Sequence, residues 1–554
     1  MNDQSKLEFF IKSENDKVEN SLPKDFMTLK ALIQIIVRAM DIFYSQSYKE
    51  DDENNTMYYE LGHIKALNFL IGPAIEQPGW ITTPVDANLW DWANSFIVHC
   101  GKIALIERLL LYQKAGITNL IYTQNDNLFE FRYISRNVDI EKIDRNAAKW
   151  YKQVMNDGFS KPNLDALLSQ FDTIELKLSK IVKVWNNHMI QYQYDDVEID
   201  YYYQKLAFFR SSSMLNQDLF PPNSLFNGIP YEKFISFAEL NMAISMKHKD
   251  FCMALIKKES AIKLPDIITL FCSKSETIKN TSIYLNITLL DAEILVNSLI
   301  LDLENKEYHI NREVSPSAPF IQIGTDSLMM SSFGCEGNPY YFLNNELKRT
   351  FETNYFKAVN EREAYFRDQL YYIFDNEKYV KVNKSIVIKI KGLHTDIDGA
   401  LLNISTGTLA LFQLKWQDPF GKSMKQRNSR IKNFFSKTVE WIDKIFIWIN
   451  TNDEKTILSS LGINSIYKIN KVHIFVVNRN AARFSGQIHD ERVAWCSWYQ
   501  LLNFNSKIPL TEIDDLDYLY NLLTQKDETP PEIWKQESYS FNLSDHNFIL
   551  KSAV

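Results

Sequence analysis

Apolar residues recur at steps of three and four along most of the first 340 positions, the period of an amphipathic helix. LKALIQIIVRAMDIFYSQ, residues 29–46, is the clearest case. The same spacing predicts helices over 58–72, 87–113, 139–156, 164–193 and 231–259. Residues 1–24 are polar and read as a loose lead-in. Pro78, Pro84 and the Gly79-Trp80 pair punctuate the early helices. Between Gly116 and Arg136 the period changes to two. There ITNLIYTQ and LFEFRYIS flank Asn125-Asp126-Asn127, a hairpin inserted among helices. Residues 282–302 read as a strand and then a helix, and 309–333 as short strands around Pro316 and Pro319.

A new pattern starts at Asn338-Pro339. Two helical stretches follow, the second from Phe356 to Phe374, with Phe356, Val359, Tyr365, Phe366, Leu370 and Ile373 near one face. KYVKVNKSIVIKIK alternates as a strand does. Then HTDIDGALLNISTGTLALFQLKWQD, from His394 to Asp418, forms two strand patterns around a Ser405-Thr406-Gly407 turn. A basic helix over 422–449 and strands over 471–479 and 493–502 complete the series. The expected fold is an α/β C-terminal domain at 341–505, a central mixed sheet flanked by helices. A mainly α region with small β insertions precedes it at 1–340, and an acidic tail follows at 506–554.

The chain's 554 residues exceed what one core usually serves. Sparse Gly and Pro, 16 of each, argue against long disordered linkers. The net charge of −8 argues against indiscriminate nucleic-acid binding by the whole surface. That average hides a basic window: from Leu401 to Arg483, thirteen Lys and Arg stand against five Asp and Glu. The five cysteines form no C-x-x-C pair, as in reduced cytoplasmic proteins. Neither a signal peptide nor an apolar run of membrane-spanning length is present, so a cytoplasmic protein without membrane contact is expected. His63, His99, His188 and His248 are isolated, and the Tyr-rich stretch Tyr192–Tyr203 reads as a packed amphipathic face.

The chemistry gathers near residue 400. On LALFQLKW, Ala410, Phe412 and Leu414 point to one side, and Leu411, Gln413 and Lys415 to the other. Hairpin pairing brings Asp398 beside Gln413 and Lys415, while Asp396 shares its face. Phosphodiester hydrolysis needs a hard cation, Mg²⁺ or Mn²⁺, with oxygen ligands. Asp398 is the main candidate ligand, joined by the amide oxygen of Gln413, the carbonyl of Leu414 and, directly or through water, Glu363 from the preceding helix. Lys415 would orient or help deprotonate water and offset charge in the transition state. His394-x-Asp396-x-Asp398 also resembles a transition-metal cluster, but no partner histidine lies near in sequence.

Glu363, Asp398 and Gln413-x-Lys415, in this order of elements, resemble the PD-(D/E)XK nuclease superfamily with its restriction-endonuclease-like fold. The resemblance covers roughly 355–505. It implies catalytic Glu363, Asp398, Gln413 and Lys415 and a Mg²⁺- or Mn²⁺-dependent nuclease, most expectedly a DNA endonuclease in bacterial defence or restriction. Gln413 stands where an acidic residue is usual, as in some restriction enzymes, and removes one negative charge from the metal site. The basic helix would follow nucleic-acid phosphates through Lys422, Lys425, Gln426, Arg427, Arg430 and Lys432, extended by Arg479 and Arg483. Two alternatives stay open. One is a binding module that has lost cleavage; the other is an effector nuclease, on DNA or RNA, controlled by a partner on the N-terminal helices. A homodimer would supply the two sites that cutting both strands usually requires.

Overall fold

The computed structural model describes residues 2–46, 53–72, 78–79, 84–134, 140–186, 189–310, 316–390, 393–418, 424–484, 487–508, 515–525 and 539–551. The expected lead-in is a helix, Asp3–Ser21. Asn2 caps it by accepting from the Ser5 N–H at 2.8 Å, and Leu7, Phe10, Ile11 and Val18 are buried. Phe26–Gln46, Glu53–Leu70 and Ala87–Lys114 follow as helices near the expected places. The last two cross closely at two glycines. A Cβ on Gly62 would lie 1.9 Å from the Ile97 carbonyl oxygen, and one on Gly101 2.2 Å from that of Tyr58.

The hairpin Thr118–Thr123 and Leu128–Tyr133 forms as the alternation implied. Its inner strand also pairs in parallel with His546–Lys551, which pairs with Tyr539–Leu543. The region expected to be an acidic tail therefore supplies two strands, and Asp515–Gln525 is a helix. Phe129, Phe541 and Phe548 bury together and explain the docking, since the tail's apolar residues alternate.

Other expectations shift. The long helix over 164–193 divides into the end of Ile140–Leu168, a second helix Phe171–Ile181, and strands Lys183–Trp185 and Met189–Gln191. The strand expected from residue 282 is the end of helix Lys274–Leu285, closed by Asn286 in the left-handed region with φ of 50°. Thr288 then caps Leu289–Asn297. Phe320–Gly324 and Ser327–Met330 are strands, as the pattern around Pro319 suggested. The Tyr-rich stretch becomes helix Val197–Ser212, with Tyr202 and Tyr203 buried.

The C-terminal sheet has five strands in the order Tyr379–Lys381, Gly399–Asn403, Thr408–Lys415, Lys471–Asn478, Ala494–Ser497. The first three are antiparallel, and the last two join in parallel. The single strand expected over 378–391 splits, because Ile386–Ile390 pairs separately with Leu393–Ile397. Along Thr408–Lys415 the faces separate as alternation requires. Leu409 and Leu411 meet Trp441, Ile445 and Trp448 of helix Ser436–Thr451. Ala410, Phe412 and Leu414 meet Phe366 and Leu370 of helix Glu352–Ile373. Phe356 of that helix is exposed, not packed as expected. The basic helix is one rod of Met424–Arg430, a π turn Ile431–Phe435 and Ser436–Thr451. Strand Ala494–Ser497 is shorter than expected, because a capping box of Ser497 and Gln500 starts helix Trp498–Asn505. Among the described residues, no helix is long and apolar enough to cross a membrane. The molecule is thus a mixed α/β protein, mainly helical before residue 340.

Helix Ile140–Leu168, here called the bridging helix, joins the two parts. It packs on Trp498–Asn505, and its Asp144 accepts from Arg427 Nε at 2.6 Å. The glycine crossing yields a direct test. Gly101→Ala is expected to lower stability in urea unfolding by at least about 1–3 kcal/mol, the scale of overpacking. Gly158→Ala, on the bridging helix with open space around it, is expected to raise stability by about 0.5–1 kcal/mol.

Candidate active site

Asp398 sits at a break between two strands, Leu393–Ile397 on one side and Gly399–Asn403 on the other. Its N–H donates to the Phe412 carbonyl at 3.1 Å, which fixes the register of the break against the lysine strand Thr408–Lys415. Gly399 follows because a Cβ there would lie 3.3 Å from the Tyr371 hydroxyl. That hydroxyl accepts from the Ala400 N–H at 3.0 Å and donates to the Val382 carbonyl at 2.6 Å. Asp398 is 3 % exposed.

The four residues singled out from sequence converge here. Asp398 Oδ2 accepts from the Gln413 amide, from the Leu414 N–H at 2.8 Å and from Lys415 Nζ at 3.3 Å. Lys415 Nζ also donates to Glu363 Oε1 at 2.9 Å. Asp398 Oδ1 is buried and has no hydrogen-bond partner. One oxygen is crowded with donors while the other is bare.

Burial pushes the Asp398 carboxyl up to about 6; Lys415 opposes this, and Glu363 adds to it. Lys415 is raised: burial works against its charge, but Asp398 and Glu363 outweigh it. The lysine is therefore held as an ammonium. Gln413 donates an N–H where a carboxylate would repel Asp398.

The backbone adds one more oxygen. The Lys415 carbonyl accepts from the Arg479 N–H at 2.8 Å, so Lys415 turns its main chain toward strand Lys471–Asn478. Adjacent strand residues face opposite edges, so Leu414 turns its N–H and carbonyl toward Asp398, past the end of Gly399–Asn403. Among the described residues, no three His, Cys, Asp or Glu side chains converge as a metal cage. The oxygens on offer are two carboxylates, the Gln413 amide and the Leu414 carbonyl. A hard cation fits this set, and Asp398 Oδ1 has no hydrogen-bond partner among the described residues.

Asp396 is exposed, and its carbonyl accepts from Trp441 Nε1. Sequence reading missed Arg367. One turn after Glu363 on the same helix, it donates to the Asp398 carbonyl at 3.3 Å and to Ser385 Oγ at 3.1 Å. The four-residue spacing from Glu363 was its only signal.

The basic surface needs correction. Lys422 lies outside the described residues, and Lys425 is described only in its backbone. Gln426, Lys432 and Lys437 are exposed. Arg427 is not a surface cation: it is 2 % exposed and paired with Asp144, because its helical phase turns it inward beneath the bridging helix. Arg430 is mostly covered and donates to the Asp418 carbonyl at 3.1 Å. Arg479 is also buried; it pairs with Asp218, donates to Gln369 at 2.8 Å and stacks over Trp416 with 4.5 Å to the ring centre. Arg483 is half-buried.

No protein-family model matches this chain, and no curated protein or solved structure does so either.

The raised carboxyl has a consequence for stability. Between pH 4 and 6 the folded protein keeps the Asp398 proton that the unfolded chain has lost. Stability from this group is therefore greatest on the acid side and falls as pH rises through about 6. Without metal, Asp398→Asn is expected to be about 1–3 kcal/mol more stable than wild type at pH 7.5. In urea titrations across pH, that gap should close toward pH 4.5.

Proposed function

We propose that this chain is a metal-dependent nuclease whose C-terminal unit has the restriction-endonuclease-like fold of the PD-(D/E)XK superfamily. The observation that carries the reading is the convergence of Glu363, Asp398, Gln413 and Lys415, with Asp398 Oδ1 bare. The order of elements around the mixed sheet supports it.

Mg²⁺ or Mn²⁺, held by Asp398, the Gln413 amide oxygen, the Leu414 carbonyl and Glu363, would neutralise charge on the scissile phosphate. The chain's own part is positional. Lys415, fixed between two carboxylates, presents N–H groups that orient the attacking water and offset charge growing on the phosphoryl oxygens. Lys415 and the Leu414 N–H favour the ionised form of Asp398 against the burial that disfavours it. Arg367 holds the main chain at the break, so it is a positioning residue. The phosphate track is narrower than the sequence suggested, with Gln426, Lys432 and Lys437 as its exposed contacts. DNA is the substrate favoured, in a cytoplasmic setting; a defence or restriction role and a homodimer rest on analogy with the superfamily.

A second reading is a binding module without cleavage. It is favoured by the Gln413 amide, which occupies Asp398 Oδ2 with a hydrogen bond.

Purified full-length protein with Mg²⁺ or Mn²⁺ should cleave linear or circular DNA and stop on chelation. Asp398→Ala and Lys415→Ala are expected to lose cleavage on the order of 10²–10⁴-fold. If wild type and both variants behave alike on duplex, single-stranded and RNA substrates, the assignment fails. Salt-sensitive binding that survives Asp398→Ala, with no turnover, would select the second reading. The double change Lys432→Glu with Lys437→Glu is expected to weaken DNA binding and flatten its salt dependence by roughly two charges. Fluorescence anisotropy over a salt series checks this.

A further inference from the structure

Apart from the Asp398 site, the described residues enclose a cleft of about 1640 Å³ in the helical region. Small-molecule pockets span roughly 300–1,000 Å³, so this one suits a segment of polymer. Phe43, Phe69, Leu111 and Trp150 give it apolar walls from four different helices. Leu111 is 43 % exposed, unusual for a leucine on a long buried helix. Among the described residues the charged lining is balanced, five Lys and Arg against five Glu. Three of the glutamates already hold cations: Glu8 binds Lys114 at 2.8 Å, Glu107 binds Lys65 at 2.8 Å, and the buried Glu336 binds Lys249 at 2.7 Å. A polyanion such as a nucleic acid would face as many carboxylates as cations. A peptide with apolar anchors and side chains of both signs matches every part of the lining.

The cleft is connected to the catalytic unit. Lys149, Trp150 and Gln153 of the bridging helix line it. Between and beside them, Tyr151 and Met155 pack into the core under the five-stranded sheet. Lys152 pairs at 3.2 Å with Asp218, the partner of Arg479, whose N–H bonds the Lys415 carbonyl. Asp144 of the same helix holds Arg427. We propose that this cleft receives a peptide segment of a partner protein, with aromatic or aliphatic anchors flanked by acidic and basic side chains, and that the bridging helix transmits its occupancy to the catalytic unit. The transmission rests on the nuclease reading; the binding does not.

The test is selection of random dodecapeptides displayed on phage against the full-length protein. Binding is then measured by anisotropy with wild type and three variants. Enriched peptides should carry the mixed pattern and bind Leu111→Arg and Trp150→Ala at least about tenfold more weakly. Leu176→Arg, an exposed leucine on another helix, should leave binding unchanged. Leu111→Arg changes an exposed side chain, so its folding is not in question if Trp150→Ala fails to fold. Bound peptide should also change hydrogen exchange over 424–430 and 498–505. Peptides that bind the cleft without altering exchange there would overturn the transmission. Recovery only of peptides indifferent to Leu111→Arg, or their displacement by a poly(dT) dodecamer, would overturn the peptide assignment. Neither readout uses cleavage, so failure of the nuclease reading would not obscure either outcome.

Discussion

A carboxylate buried at a break in a sheet is the constraint around which the C-terminal half is arranged. Isolated in such a place, Asp398 would simply take up a proton. It is instead surrounded by donors whose positions depend on different parts of the chain. The Leu414 N–H is available because pairing with the neighbouring strand ends at Gly399, opposite Phe412. The Gln413 amide and Lys415 come from alternation along one strand, and Glu363, from a helix across a hydrophobic layer, is not a donor but accepts from Lys415 and holds it in place. Moving any one donor by one residue would remove one of the three hydrogen bonds to Asp398 Oδ2. The asymmetry between its two oxygens is the part that packing alone does not require.

The same economy governs the junction of the two halves. Arg427 and Arg479 lie in the most basic stretch of the chain, yet both are withdrawn from the surface. Each meets a carboxylate from the N-terminal part, Asp144 and Asp218. Buried pairs of this kind gain little stability over apolar contacts, because desolvation offsets much of their attraction. Breaking one by removing a single partner costs far more. They therefore fix which way the halves dock more than how tightly.

Alternation and helical period carried most of the fold. The two faces of Thr408–Lys415 separate as the pattern required, and the hairpin at 118–133 forms where the period changed. Gln413 and Lys415 were legible because they lie on a strand, where spacing dictates facing. The other cations were not. A charge run states composition but not rotational phase, and Arg427 lies on the buried side of a helix whose neighbours Gln426 and Asn428 are exposed. Residues 282–285 misled because β-branched and aromatic residues ended a helix whose stop signal was a single Asn. The C-terminal strands escaped notice because their partners lie some 400 residues earlier, beyond any local pattern.

That last pairing bears on how the protein is made. A chain emerging from the ribosome presents every strand of the five-stranded sheet before residues 539–551 are made. The sheet begun by Thr118–Thr123 and Leu128–Tyr133 must wait, since Leu128–Tyr133 finds its parallel neighbour in His546–Lys551. Until the hairpin of Tyr539–Leu543 and His546–Lys551 is made, a strand edge early in the chain stays open. Prematurely ended copies would carry that exposed edge permanently, which marks them for aggregation or degradation even with every residue around Asp398 in place.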